Sequence, residues 1–525
     1  MAHYVIVGAG SAGCVLAARL TEQPGISVTL LEAGGADSSR NISTPAAFGE
    51  TFRTKDDWDF ATEPEPECDG REMYWPRGKV LGGSSSINAM IYIRGNRLDY
   101  DEWRDAGCEG WGFEDVLPYF LRSEGNQRGA SALHNASGPL TVSDQRSPHP
   151  ISHAYVEAAA QAGLPSNEDF NGETQDGIGI YQATQRAGRR CSTATAFLKP
   201  AMSRSNLSVV TGALATRVVI ERGRAVGVEA VVDGKRQIFQ ADREVILAGG
   251  AVGTPQLLLL SGIGPAEELA ALDIDVALDS PNVGRGLQDH VALGACWHTP
   301  QPVTMFGADK NPKHIANYLL RHRGPFASTV AEAGGFIRTD AGIEAPDIQL
   351  LFAPAIFISH GFTDPPGHGI TLGPYLLTPQ SRGSITLRSA DPTAKPVIRA
   401  NYYAEQSDLD RMLAGLKVCF DIAAQPALAP YVGERFLPAP GDTSEDALRG
   451  YIRARSETIY HPTSTAAMGS SADAVCDPQL RVRGIAALRV ADASVMPKVT
   501  RGNTNAPVIM IAEKAVDLIR TTPSS

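Results

Sequence analysis

The first thirty-odd residues restrict the fold more than any other stretch of the chain. Tyr4-Val5-Ile6-Val7 is β-branched and reads as a buried strand, Gly8-Ala9-Gly10-Ser11-Ala12-Gly13 as a turn, and Ala12 to Leu20 as a helix rich in Ala and Leu. Ser27-Val28-Thr29-Leu30-Leu31 reads as a second strand, which Glu32 ends. Gly8 permits the tight turn, Gly10 lets the backbone approach a pyrophosphate, and Gly13 lets helix and strand pack closely. The helix N-terminus then offers free N–H donors and a positive dipole end to the phosphates. Glu32 follows Gly13 by 19 residues, the position of an acid that accepts from a ribose hydroxyl and disfavours a 2′-phosphate. The pattern predicts a dinucleotide site and leaves FAD and NAD both open.

The 525 residues, 43% hydrophobic and 20% charged, suit a globular chain with more than one core. A net charge of −11 opposes the phosphate contacts that drive nonspecific nucleic-acid binding, so no nucleic-acid partner is expected. The longest leucine string, Leu257 to Leu260, falls far short of the roughly 20 apolar residues of a membrane span. With no basic leader before the first strand, the expectation is a cytoplasmic protein without an integral span, a peripheral place at the inner membrane being left open. Seven scattered cysteines without a Cys-x-x-Cys pair read as reduced, packed thiols. His149 and His153 have metal-ligand spacing, but Pro150 interrupts the helix that would align them, and no metal is expected. Asp289-His290 reads as a buried polar brace.

Residues 77–91, Arg77-Gly78-Lys79-Val80-Leu81-Gly82-Gly83-Ser84-Ser85-Ser86-Ile87-Asn88-Ala89-Met90-Ile91, are too rich in Gly and Ser for a packed element and suit a loop that meets a ligand with its backbone. This stretch closely resembles the first signature of the glucose–methanol–choline (GMC) oxidoreductase family. Glu244 to Leu257, with its Gly249-Gly250-Ala251-Val252-Gly253-Thr254-Pro255 core, and Ser261 to Pro265 resemble the second. Leu31 to Gly35, Asn282 to His290 and Arg489 to Pro497 extend the resemblance nearly end to end. Asp169-Phe170-Asn171-Gly172 and Arg189 to Thr193 look most like the bacterial choline, aliphatic-alcohol and L-sorbose dehydrogenase branch.

The resemblance implies an α/β fold, α+β overall: a Rossmann-like FAD-binding domain interleaved with a substrate domain on an antiparallel sheet flanked by helices. Residues 1–155, 196–298 and 456–525 would form the first, and 156–195 and 299–455 the second. It implies FAD rather than NAD. Gly8, Gly10, Ser11, Ala12, Gly13, Glu32 and Ala33 would hold the ADP half. Val80, Gly83, Asn88, Ala89, Met90 and Ile91 would line the isoalloxazine and phosphates, and the main chain of Ala215 would meet adenine. Gly249, Asp492, Ala493, Asn503 and Asn505 complete the expected cofactor set. Relatives with covalently attached flavin carry His where this chain has Ile87, so the FAD is expected to be non-covalent.

Candidates for the chemistry lie in the last seventy residues. Tyr460-His461-Pro462 carries an imidazole with an ordinary pKa of roughly 6.5, a base available near neutrality. In Asn503-Thr504-Asn505-Ala506-Pro507, Pro507 suits a helix's first turn and Val508, Ile511, Ala512, Ala515 and Ile519 repeat at helical spacing, which puts Asn505 at a helix N-terminus. His461 is the expected base and Asn505 its orienting partner, an amide that donates to a developing alkoxide without titrating. The family's His–Asn pair matches these positions. The stretch 300–440 is the expected substrate lobe, with Phe306, Phe326, Phe336, Phe352, Phe357, Phe362 and Tyr375 as candidates for an apolar wall and Glu332 as a candidate partner for a quaternary ammonium.

The expected activity is that of an FAD-dependent alcohol dehydrogenase. It would oxidise a primary alcohol or a sugar or polyol hydroxyl to an aldehyde or ketone by hydride transfer to flavin N5, with a quinone or electron-transfer protein as acceptor. An oxidase passing electrons to O₂ and a flavin-containing hydroxynitrile lyase are the alternatives; the oligomeric state stays open.

Overall fold

The two strands read at the amino terminus, Ala2–Val7 and Ile26–Glu32, pair in parallel with helix Ser11–Leu20 between them. Leu207–Thr211 adds outside the second strand, Glu244–Leu247 beside the first, and Leu488–Val490 closes the other edge. All four pairings are parallel, so the five strands form one parallel sheet drawn from both ends of the chain. Val5, Ile6, Leu30, Val245 and Ile246 are fully buried, as expected of strands covered on both faces. One covering helix is the first; another is Asn505–Thr521, whose buried Glu513 pairs with Arg19 at 2.8 Å. This computed structural model describes residues 2–363 and 365–521.

A second sheet is antiparallel in every pairing. Gly177–Ile180, Ala333–Ile337, Ile348–Ala353, Gly369–Leu376, Ala295–His298 and Arg435–Leu437 succeed one another across it, and Val291–Ala292 and Glu457–Thr458 attach at the side. Helices Pro150–Gln161 and Gln406–Ala423 pack on it, and Tyr155 stacks on Phe352 at 4.7 Å between ring centres. Sheet membership moves the expected boundaries. Position 155 falls inside a helix that packs on the second sheet, and Val291–Ala292, Ala295–His298 and Glu457–Thr458 are strands of that sheet, whereas the expected boundaries put them in the cofactor-binding part. Strands of two to four residues carry too little alternation to show their sheet in the sequence.

All seven cysteines are free and buried. Among the described residues no helix is long and apolar enough to cross a membrane.

Candidate active site

At Val7, whose neighbours in register are Leu31 and Leu247, three strands end together, and the loops beyond them converge. Gly8 lies at φ 96°, and a Cβ there would come within 2.5 Å of the Ala248 carbonyl oxygen. A Cβ on Gly13 would come within 1.8 Å of the Gly8 carbonyl oxygen, so this glycine serves helix–strand packing and does not line the cavity. Gly83, at φ 52°, abuts Gly10, and a Cβ there would reach the Gly10 Cα at 2.7 Å. Two glycine loops thus meet at the N-terminus of the first helix, whose N-cap Gly10 supplies no side-chain cap. Its first amides are left to face the cavity, which suits a pyrophosphate.

The cavity holds about 600 Å³ and is walled by both lobes. Gly8, Gly10, Ser11, Ala12, Glu32, Ala33, Gly83, Asn88, Ala89, Met90, Ile91, Ala215, Gly249, Asp492, Ala493, Asn503 and Asn505 all reach its wall. Val80 does not: it is fully buried behind the wall, packed with Ile42, Phe48 and Ile87. Glu32 accepts from the Ala9 and Gly34 amides at 2.8 Å each, and burial lifts its carboxyl to about 7 against the pull of those amides. Each oxygen keeps a lone pair for a ribose hydroxyl. Asp492 accepts from the Gly250 amide at 2.8 Å and from Thr254 Oγ1 at 2.6 Å, which ties the start of helix Gly250–Leu260 to the last strand's loop. The glycine cradle, the uncapped helix and the carboxylate fit the ADP half of FAD.

His461 is buried on the same wall. Its main-chain N–H donates to Asp289 at 2.8 Å; the same carboxylate accepts from Thr458 Oγ1 and from the Tyr402 hydroxyl. Asp289 is a brace, as expected. His290 does more, because its Nδ1 lies 3.0 Å from His461 Nδ1 while its Nε2 lies 3.0 Å from the Leu377 carbonyl. A carbonyl only accepts, so His290 Nε2 carries the proton. Burial holds the His290 pKa down to about 4, so its Nδ1 is a bare lone pair at neutral pH. His461 Nδ1 must then be the donor, which leaves the lone pair of His461 on Nε2. Burial, with His290 and Arg77 adding to it, keeps this imidazole neutral well below its ordinary pKa.

The partner facing that lone pair is Asn503, and the expectation for Asn505 is corrected. Asn503 Nδ2 lies 3.3 Å from His461 Nε2, the orientation that lone pair calls for, since only the amide nitrogen can donate to it; its Oδ1 lies 3.4 Å from Gln349 Nε2. Asn505 instead accepts from Ser11 Oγ at 2.7 Å, at the glycine turn. Helix geometry separates the two. Asn505 is the first helical residue and meets the N-terminus of the first helix, whereas Asn503 precedes the helix, after Gly502 at φ 142°. The sequence carries two asparagines two positions apart, and only the turn between them says which faces the imidazole.

Beside His461 the wall is aromatic. Tyr460 packs edge-on against Phe52 at 5.7 Å, Phe52 against Phe48 at 6.0 Å, and Phe48 against Phe357 at 6.4 Å. Of the aromatic candidates from the middle of the chain, Phe352, Phe357 and Tyr375 reach the cavity. Phe336 is core, Phe326 packs on Tyr318, and Phe306 and Phe362 are 41% and 44% exposed. Phe48 and Phe52 escaped the sequence reading because Pro45–Thr51 is a short 3-10 segment without a motif. Glu332 is corrected too: it is buried off the cavity, accepting from the His149 amide at 2.7 Å and Ser152 Oγ at 2.8 Å. His149 caps that helix by accepting from the Ile151 amide. Met90, Val330 and Tyr460, all on the wall, have φ of 62°, 66° and 70°. Left-handed backbone at a β-branched or bulky residue costs energy and gathers where surrounding structure holds a functional surface in place.

A GMC oxidoreductase family model matches residues 2–292, and a second, also described as GMC oxidoreductase, matches 379–512. The chain is 44% identical to mitochondrial choline dehydrogenase of Homo sapiens over 99% of its length and 90% of that protein's. It is 43% identical to an alcohol dehydrogenase [acceptor] of Pseudomonas putida, over 99% and 96%. Among solved structures, pyridoxine 4-oxidase from Mesorbium loti superposes with a TM-score of 0.91 at 31% identity, covering 100% of both chains. Formate oxidase from Aspergillus oryzae superposes with 0.91 at 30%, over 99% and 98%. With its glycine cradle and its buried imidazole on one cavity wall, the chain belongs to the GMC oxidoreductase family, whose members oxidise CH–OH groups with FAD.

Proposed function

We propose that this protein dehydrogenates an uncharged alcohol with an apolar substituent, with His461 as base and Asn503 as the amide that holds the alcohol oxygen. The observation that carries the reading is the His461 Nε2 lone pair, 3.3 Å from the Asn503 amide on an aromatic cavity wall. An alcohol oxygen seated between them donates its proton to Nε2 and accepts from Nδ2. His290 keeps Nδ1 of His461 committed as a donor, so the incoming proton has one place to go. Bound FAD supplies the acceptor of the hydride that leaves the carbinol carbon. Asn503 then steadies the oxygen as charge grows on it, and Arg77, half-buried on the wall and donating to the Tyr460 carbonyl, adds a positive field.

The same charges argue for a neutral substrate. The carboxylates on the cavity wall are Glu32 and Asp492, both engaged with main-chain amides at the glycine-turn end. A quaternary ammonium beside His461 would meet Arg77 on the wall, while Asp289 lies off the wall behind the His461 main chain, committed to three donors. Aromatic rings alone can hold such a cation through their faces, so choline belongs in the test. The relatives at 41% to 44% identity are named as dehydrogenases, two of them oxygen-dependent, which supports dehydrogenation of an alcohol and makes the peroxide assay the discriminator between acceptors. Ile87 is buried and offers no nucleophile, which supports a dissociable flavin.

The test is anaerobic bleaching of the bound flavin across choline, sorbose, polyols, alkanols and benzylic alcohols, followed by a peroxide assay in air. Alkanols or benzylic alcohols should bleach it fastest and peroxide should stay low. Bleaching fastest with choline or sorbose would overturn the substrate reading, and no bleaching by any alcohol would favour a lyase. Acid precipitation should release the flavin; colour retained in the pellet would refute the non-covalent reading.

A further inference from the structure

The helix Pro312–Arg321 turns its apolar side outward. None of its residues is buried; Ile315 is 38%, Leu319 70% and Leu320 82% exposed, and Ala316 completes an exposed strip at helical spacing. The residues facing the protein are the polar or amphipathic ones. Tyr318 packs on Phe326 at 5.7 Å and donates to the Gly188 carbonyl at 3.4 Å, while His314 and Asn317 are half-buried. A surface helix that exists only to cover a core does the reverse.

The charge around the strip is also out of character. Residues 308–323 hold four bases, Lys310, Lys313, Arg321 and Arg323, all exposed, against one acid, Asp309, in a chain of net charge −11. The segment flanks the substrate end of the cavity. Before the helix, the Met305 amide donates to the Pro354 carbonyl at 2.9 Å, near Phe357; after it, Pro325–Ala327 packs on Pro45–Thr51, which carries Phe48, and the chain runs on to Val330 on the cavity wall.

We propose that this helix docks the protein on an anionic lipid bilayer, with Ile315, Leu319 and Leu320 entering the boundary of headgroups and acyl chains and the flanking bases meeting lipid phosphates. Apolar side chains bordered by lysine and arginine are what an interfacial helix requires, and anionic headgroups supply the complementary charge. A second copy fits less well, because a two-fold contact through this face would bring like-charged rims together. Ten residues also cover less than the roughly 800 Å² per partner of a stable protein interface. Docking would press the cavity's aromatic end toward the phase in which apolar alcohols concentrate, though the docking itself does not depend on the proposed substrate.

The test is co-sedimentation of the full-length, FAD-loaded protein with phosphatidylcholine vesicles with and without phosphatidylglycerol, at low and high salt. Wild type should bind the phosphatidylglycerol vesicles, and salt should weaken that binding. The double variants Leu319→Asp/Leu320→Asp and Lys313→Glu/Arg321→Glu should each bind about tenfold more weakly, with wild-type thermal midpoints and wild-type dye-linked turnover of a soluble alcohol. No wild-type binding to phosphatidylglycerol vesicles at low salt would overturn the proposal, as would variants that bind as wild type does. A wild-type dimer that Leu319→Asp/Leu320→Asp converts to monomer would give the face to a second copy and overturn it too.

Discussion

The two ends of the cavity are built on different principles. At the glycine-turn end the recognition surface is main chain: strand ends held in parallel register, an uncapped helix, and Gly8, Gly10 and Gly83, which let loops approach within ordinary contact. At the His461 end it is side chain, assembled from positions 48, 52, 290, 349, 357, 460, 461 and 503. A main-chain site needs a local run of sequence with the right turn. A side-chain site needs the whole fold before any two of its members meet, and it can change its substrate without disturbing the cradle.

The largest test of that division is His461→Ala, which should slow anaerobic reduction of the bound flavin by about 10²-fold in stopped-flow absorbance. It should leave flavin content unchanged; an unchanged rate would remove the imidazole from the chemistry. Next is the asparagine pair. Asn503→Ala should cost about tenfold in the same rate, the worth of one hydrogen bond to a charged oxygen, with the flavin retained. Asn505→Ala should do the reverse, weakening flavin retention on dialysis and sparing the reduction rate; equal effects on both readouts would erase the distinction between the two ends.

The smallest effect lies outside both ends. His134 sits between Asp169, at 2.8 Å, and Glu124, at 3.1 Å, and these hydrogen bonds raise its pKa from 6.5 to about 9. A raised folded-state pKa contributes stability in full below pH 6.5 and loses it as pH rises through 9. Wild type should therefore lose more thermal stability across that interval than His134→Gln does, measured by the unfolding midpoint in the two buffers. Parallel losses would show that the pair of carboxylates does not hold the charge.

What could be read in advance follows the same division. The βαβ unit was legible because period, glycine spacing and Glu32 all lie within residues 2–32 and report the same geometry. His461 was legible through its motif. The identity of its partner was not, since choosing Asn503 over Asn505 needs the exact first residue of the last helix, and helix ends are where sequence patterns are least sharp. His290 carried one usable signal, an imidazole directly after the acid that binds the His461 main chain; its 3.0 Å reach to His461 spans 171 positions, which no local pattern records. Phe48 and Phe52 carried none.

The parallel sheet also sets an order of events during synthesis. Its central strand, Ala2–Val7, pairs with Ile26–Glu32 early, but Leu488–Val490 and the helix Asn505–Thr521 leave the ribosome some 480 residues later. At about 5–20 residues per second that is roughly 25–100 s of translation with one edge of the sheet bare. Until then the Glu244–Leu247 edge lacks its neighbour, and Asp492, Ala493, Asn503 and Asn505 are missing from the cavity wall, so the complete wall forms only after residue 505 has emerged.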